Sequence, residues 1–134
     1  MEKNTKKIAL SIEEMKHLQE LGVDTSGASM VWINDNEWAL YYDGNICSEF
    51  INLFESISAF TLQDILELLP KEIDGIPLEI NFAEKYIAYF QRDVQCVCEE
   101  ELLHVRLFKD ISLIDAAYEM LCWCAENGYL KKGE

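Results

Sequence analysis

Three times this chain places a hydroxyl residue three positions before a carboxylate, each time at the head of a helical pattern. The three are Ser11-Ile12-Glu13-Glu14, Thr61-Leu62-Gln63-Asp64 and Ser112-Leu113-Ile114-Asp115. In such a capping box the hydroxyl accepts a bond from an orphan helical N–H, and the acid reaches back to the cap's own N–H. Asp is shorter than Glu, so the second and third boxes are weaker than the first. Leu10, Phe60 and Ile111 precede the boxes, with Met15, Ile65 and Ala116 as their staple partners. The stops agree with the starts: Gly22 ends the first helix, Pro70 the second after Leu69, and Gly128 the third. Three helices are therefore fixed in place before anything else about the fold is asked.

Their faces are legible too. Leu62, Ile65, Leu66 and Leu69 follow i, i+3, i+4, i+7 spacing. In the third helix Leu113, Ile114, Ala117, Leu121 and Cys124 share one face, opposite Asp115, Glu119, Cys122 and Glu126. Strands fill the gaps. Met30-Val31-Trp32-Ile33 and Trp38-Ala39-Leu40-Tyr41-Tyr42 flank a hairpin turn at Asn34-Asp35-Asn36-Glu37, and Asp43-Gly44-Asn45 signals a further turn. Residues 77–82 and 86–90 form a second pair around Ala83-Glu84-Lys85, and residues 102–108 one more strand. The order α-ββ-α-ββ(β)-α predicts an α+β fold, a mostly antiparallel sheet packed by three helices. With no Pro-, Gly- or Ser-rich linker, residues 1–134 read as a single domain, with residues 1–9 a flexible N-terminal tail. Two capped helices, each followed by an aromatic hairpin, hint at an internal duplication in which few identities survive.

Charge sets the exclusions. Between His17 and Pro70 there is no Lys or Arg, while nine carboxylates fall there: Glu20, Asp24, Asp35, Glu37, Asp43, Glu49, Glu55, Asp64 and Glu67. The formal net charge is −14. Phosphate backbones are gripped through Lys and Arg, so direct nucleic-acid binding and anionic membrane surfaces are disfavoured. No apolar run approaches the roughly 18–20 residues needed to span a bilayer, and the basic N-terminus lacks an apolar leader segment. Five cysteines, an odd number, suit a reducing compartment, and the expected localisation is cytoplasmic.

Chemistry-bearing motifs are sparse. Cys96-Val97-Cys98 and Cys122-Trp123-Cys124, with His17 or His104, hold the ligand types of a zinc site, but not its usual spacing. Two residues turn a helix by about 200°, so Cys122 and Cys124 point apart. Thr25-Ser26-Gly27-Ala28-Ser29 reads as a turn into the hairpin rather than a nucleophile loop. Asp115, Glu119 and Glu126 read as a solvated stripe, and the acids near residues 35–45 miss the register of a calcium loop. There is no G-x-S-x-G, phosphate-binding loop or dinucleotide fingerprint. No catalytic residue, metal ligand or cofactor is assigned, and a non-enzyme is expected.

The strands carry the one functional hint. They do not alternate apolar with polar residues, so both faces look apolar or aromatic. Trp32, Trp38, Tyr41, Tyr42, Tyr86 and Tyr89 are the candidate protein contacts, with a homodimer one way to cover them.

Several segments carry a resemblance. They are Leu10-Ser11-Ile12-Glu13-Glu14-Met15, Glu20-Leu21-Gly22-Val23-Asp24-Thr25-Ser26 and Ala28-Ser29-Met30-Val31-Trp32-Ile33. Further along come Ala59-Phe60-Thr61-Leu62-Gln63-Asp64-Ile65-Leu66-Glu67-Leu68-Leu69-Pro70, Ile114-Asp115-Ala116-Ala117-Tyr118-Glu119-Met120-Leu121, Trp123 and Gly128-Tyr129-Leu130. Together they resemble a family of uncharacterised small proteins from gut-bacterial prophages and other mobile elements. The likeness covers most of the chain and is weakest over residues 35–58 and 93–109. It implies no activity and carries over no site residue. The expected function is a non-catalytic accessory protein acting through protein–protein contact. The alternative is an acidic nucleic-acid mimic that occupies a DNA-binding protein. A third reading, an enzyme, would need a pocket holding His104, a cysteine and a carboxylate.

Overall fold

The computed structural model describes residues 7–42, 44, 49, 52–91, 103–110 and 112–130, with the backbone alone at 90, 91 and 103–106. In chain order the elements are α1 (Ile12–Glu20), β1 (Met30–Asp35), β2 (Glu37–Tyr42), β3 (Glu55–Ala59) and α2 (Leu62–Leu68). They continue with β4 (Glu72–Ile73), β5 (Ile76–Asn81), β6 (Tyr86–Gln91), β7 (Leu103–Lys109) and α3 (Leu113–Glu126). This is the α+β class read from the sequence. The strands form two antiparallel sheets, ordered β2-β1-β3 and β4-β5-β6-β7.

The three helix starts follow the cap chemistry. Glu14 N donates to Ser11 Oγ at 3.1 Å and Ser11 N to Glu14 Oε1 at 2.9 Å, a closed box. Thr61 and Asp64 make the same reciprocal pair, at 3.3 and 2.9 Å. At α3 the Asp115 N–H donates to Ser112 Oγ, whose hydroxyl donates to the Asp115 carboxylate at 2.6 Å. The first two staples merge: Leu10, Met15, Phe60 and Ile65 all enter one core. The Leu10 N–H donates to Phe60 O at 2.9 Å and the Phe60 N–H meets Met15 Sδ at 3.3 Å, tying two helix starts together. Ile111, the third staple residue, lies outside the described residues.

That knot shortens the expected N-terminal tail. Ala9 is buried with Met30 and Ala59, and Lys7 pairs with both Glu14 and Asp115. Residues 7–9 are therefore part of the packed molecule, because two helix starts present carboxylates that a lysine can bridge.

The hairpins turn at left-handed residues. Asn36, at φ 75°, closes β1–β2, a conformation Asn tolerates better than most residues. Asp74 and Gly75, at φ 52° and 82°, join β4 to β5 with two residues, the type I′ arrangement that Asp-Gly favours. Of the Asp43-Gly44-Asn45 turn, only Gly44 is described. The duplication hint finds no topological echo. In the first sheet the third strand pairs with β1, whereas in the second it pairs with β6, the later strand of its hairpin. The main core gathers residues of all three helices with Ile87 and Tyr89 of β6, and α3 packs across β6 and β7. No helix among the described residues is long and apolar enough to cross a membrane.

Candidate functional site

The helices α1, α2 and α3 end at the same place. α1 stops with the Gly22 N–H on Gln19 O (3.0 Å) and the Val23 N–H on Leu18 O (3.0 Å), Gly22 sitting at φ 89°. α3 repeats this with the Gly128 N–H on Ala125 O (3.4 Å) and the Tyr129 N–H on Cys124 O (2.9 Å), Gly128 at φ 76°. Both are Schellman turns, with glycine supplying the left-handed residue and Val23 or Tyr129 folding back as the apolar companion. α2 ends at the extended Leu69 before Pro70, whose carbonyl accepts the Tyr89 hydroxyl at 2.6 Å from the core beneath.

Two contacts and a shared cleft show that α1 and α3 run in one direction. Lys7 bridges Glu14 and Asp115 at their starts, the His17 and Tyr118 rings meet edge-on at 6.5 Å midway, and both ends line one cleft. The cleft holds about 680 Å³, within the range of small-ligand sites. Leu21, Val23, Leu68, Leu69, Tyr129 and Leu130 give it apolar lining, and Leu68 and Tyr129 remain 37% exposed. Among the described residues of the lining, Asp24, Glu67 and Glu72 stand against a single cation, Lys71. Asp24 accepts the Ser26 N–H at 3.0 Å, which holds its carboxyl below the usual range and keeps it charged.

Within the helices themselves this end has little compensating charge. Helix C-termini carry partial negative charge, and Lys or Arg in the last turn normally offsets it by about 0.3–1 kcal/mol. α2 and α3 have no basic residue there, and α1 has only His17, 3.8 Å from Glu20. The opposite end is the reverse. Capping acids sit on the helix N-termini and Lys7 neutralises two of them, its own pKa raised because the pairs with Asp115 and Glu14 outweigh the opposing effect of burial.

The sequence-named aromatic residues do not form one surface. Register places Trp32, Trp38 and Tyr42 on one face of the first sheet and Tyr41 on the other. Trp32 is half-buried, its Nε1–H donating to Leu10 O at 2.9 Å; Trp38 and Tyr41 are half-buried; Tyr42 is 58% exposed. Tyr86 belongs to the second sheet and donates to Glu79 Oε2 at 2.7 Å. Tyr89, expected as a contact, is not on the surface. It is fully buried at the junction of β6, α3 and the Pro70 turn, because β6 is an inner strand covered by α3. Burial and the adjacent Cys124 thiol raise its phenol well above the ordinary value.

A second, shallower hollow of about 380 Å³ collects His17, Phe108, Tyr118, Glu119, Cys122, Trp123 and Glu126. Its residue types suit nucleophilic chemistry, but its thiol does not. Burial and the surrounding acids push Cys122 up to about 11 despite a bond from Tyr118, so it is a neutral thiol at physiological pH. Cys124 is fully buried and likewise pushed up to about 11. No group of three or more His, Cys, Asp or Glu among the described residues is placed to hold a metal. Cys47, Cys96 and Cys98 lie outside the described residues, as does the side chain of His104.

No family model, no curated protein and no solved structure matches this chain. The site therefore has to speak through its own chemistry. One buried carboxylate belongs to architecture instead. Asp64, 7% exposed, accepts Ser29 N–H (2.8 Å), Ser29 Oγ–H (2.7 Å) and Thr61 N–H (2.9 Å). Burial would raise its pKa, yet these bonds from Thr61 and Ser29 outweigh it and hold the carboxyl low. Asp64 thus locks the loop before β1 onto the start of α2. The sequence showed its cap role; Ser29, 35 residues away, was beyond local grammar.

Proposed function

We propose that this protein acts without catalysis, as an accessory protein that binds another protein, and that the cleft at the helix ends is its contact. One observation carries the reading: an apolar, preformed hollow with acids on its lining, held by two Schellman turns and a buried tyrosine. A preordered backbone lowers the entropic cost of binding, and an apolar centre with a polar rim is the anatomy of protein interfaces. The mobile-element setting rests on the family resemblance alone.

The exposed Tyr42 on strand β2 supports the sheet as a secondary contact. Self-association through it has charge against it, since each copy carries −14. A mimic of nucleic acid has less support. It needs carboxylates in regular rows, whereas Asp64 is committed internally, Glu20 and Asp24 flank a helix end, and Asp35 and Glu37 flank a hairpin.

A photo-crosslinking residue at position 129 or 42, in the native host, tests the reading. A protein captured from 129 and lost when Leu68→Glu fills the cleft is the expected result. Capture from 42 alone would move the contact to the sheet, and capture from neither would contradict protein binding.

A further inference from the structure

Resting on that reading, we infer that the cleft takes a basic peptide segment with one apolar anchor, the anchor seated on Leu68 and Tyr129 and its Lys or Arg neighbours facing Glu67 and Glu72. Two independent features point to a cation. The first is the lining itself, where three carboxylates face one lysine. The second is the convergence of three helix C-termini, two of them without any basic residue in the last turn. Positive charge near a helix C-terminus is favourable. Among the described residues, Lys71 alone brings positive charge to the lining, and a cationic segment would add to it.

The apolar floor limits what that partner can be. Small inorganic cations would leave Leu68 and Tyr129 uncovered, each 37% exposed. An acidic or neutral peptide would bury an apolar anchor but add its charge to an already negative rim, at a cost in both affinity and encounter rate. A second copy of this chain meets the same repulsion. The chemistry left is a segment of alternating cationic and aliphatic or aromatic residues. Among the described residues of the lining, Lys71 is the one charge that works against such a ligand, and it is exposed in the turn after Pro70.

The test uses the full chain and three fluorescent hexapeptides: alternating Lys/Leu, alternating Lys/Gly, and alternating Glu/Leu. Anisotropy is expected to show Lys/Leu binding at least tenfold tighter than either other peptide, weakening as salt rises. The double variant Glu67→Lys with Glu72→Lys should lose at least tenfold, and Lys71→Glu should gain severalfold. Both sites are exposed, so unchanged thermal unfolding is expected and is checked in parallel. Equal binding of Lys/Gly would reduce the effect to bulk charge attraction and overturn the inference. Equal binding to the double variant would place the peptide elsewhere and overturn it too. Dimers in place of a peptide complex would put a second copy in the cleft and overturn the inference. If no peptide binds while crosslinking from position 129 still captures a protein, the docking reading stands and the basic chemistry falls; if both fail, both fall.

Discussion

The helix-end cleft and the aromatic first sheet are opposites in how they show themselves. The sheet concentrates Trp32, Trp38, Tyr41 and Tyr42 within eleven residues, and composition alone draws the eye to it. Yet much of that aromatic area is already used: Trp32 covers the chain at Leu10, and only Tyr42 among the four is more exposed than buried. The cleft is built of plain leucines, glycines and acids from chain positions over a hundred residues apart. Conspicuous residues here mostly hold the fold, and inconspicuous ones shape the opening. The general point is physical. Large aromatics lose the most by staying wet, so folding tends to consume them, whereas a cleft arises where backbones stop.

Four perturbations break or sharpen the contrast. The largest effect is expected at Asp64, which links the loop before the first sheet to the helix that lines the cleft. Asp64→Ala removes the acceptor of the part-buried Ser29 and Thr61 N–H groups and should cost about 2 kcal/mol in urea unfolding. The same carboxyl gives a pH signature. Its folded pKa lies below the usual value near 3.8, so its stabilisation is complete above that value and is lost as pH falls through the folded one. Unfolding midpoints followed from pH 6 to 2 should fall steeply in the native protein and less steeply in Asp64→Asn.

Next is Gly128→Ala, which forces a side chain into φ 76° and should cost about 1 kcal/mol while disturbing the cleft's wall. Chemical denaturation reads the cost, and peptide anisotropy the disturbance. Trp32→Phe removes the bond to Leu10 O and should cost about 1 kcal/mol without touching peptide affinity. The smallest effect belongs to Tyr42→Ala, within about 0.5 kcal/mol in stability and less than twofold in peptide affinity. A larger loss of affinity there would reverse the ranking of the two regions.

Local rules carried the fold far. Ser11, Thr61 and Ser112 cap the helices they announced, and Gly22, Pro70 and Gly128 end them. The hairpin at residues 30–42 has its expected pairing, and the strand expected over residues 102–108 runs one residue later. Two strands escaped notice. Glu55–Ala59 is too polar to stand out, although its Ile57 and Ala59 alternate with serines as a strand beside β1 requires. Ile73-Asp74-Gly75-Ile76 carried a strong two-residue hairpin signal that the nearby Pro70 and Pro77 obscured.

The site was half-written in the sequence. Its three walls are the three helix stops, each readable alone from Gly22, Pro70 and Gly128. Their meeting is a product of packing: α1 and α3 enter one core, and Lys7 bridges their starts. Tyr89 was misjudged for a related reason. A strand pattern shows which residues share a face, but not that α3 will cover that face.

The most direct test follows backbone amides by NMR as unlabelled Lys/Leu hexapeptide is added to the isotope-labelled chain. Saturable shifts confined to Leu21–Asp24, Glu67–Glu72 and Gly128–Leu130 are the expected result. Shifts centred on Trp38–Tyr42, or none that saturate, would contradict a cleft built for a basic partner.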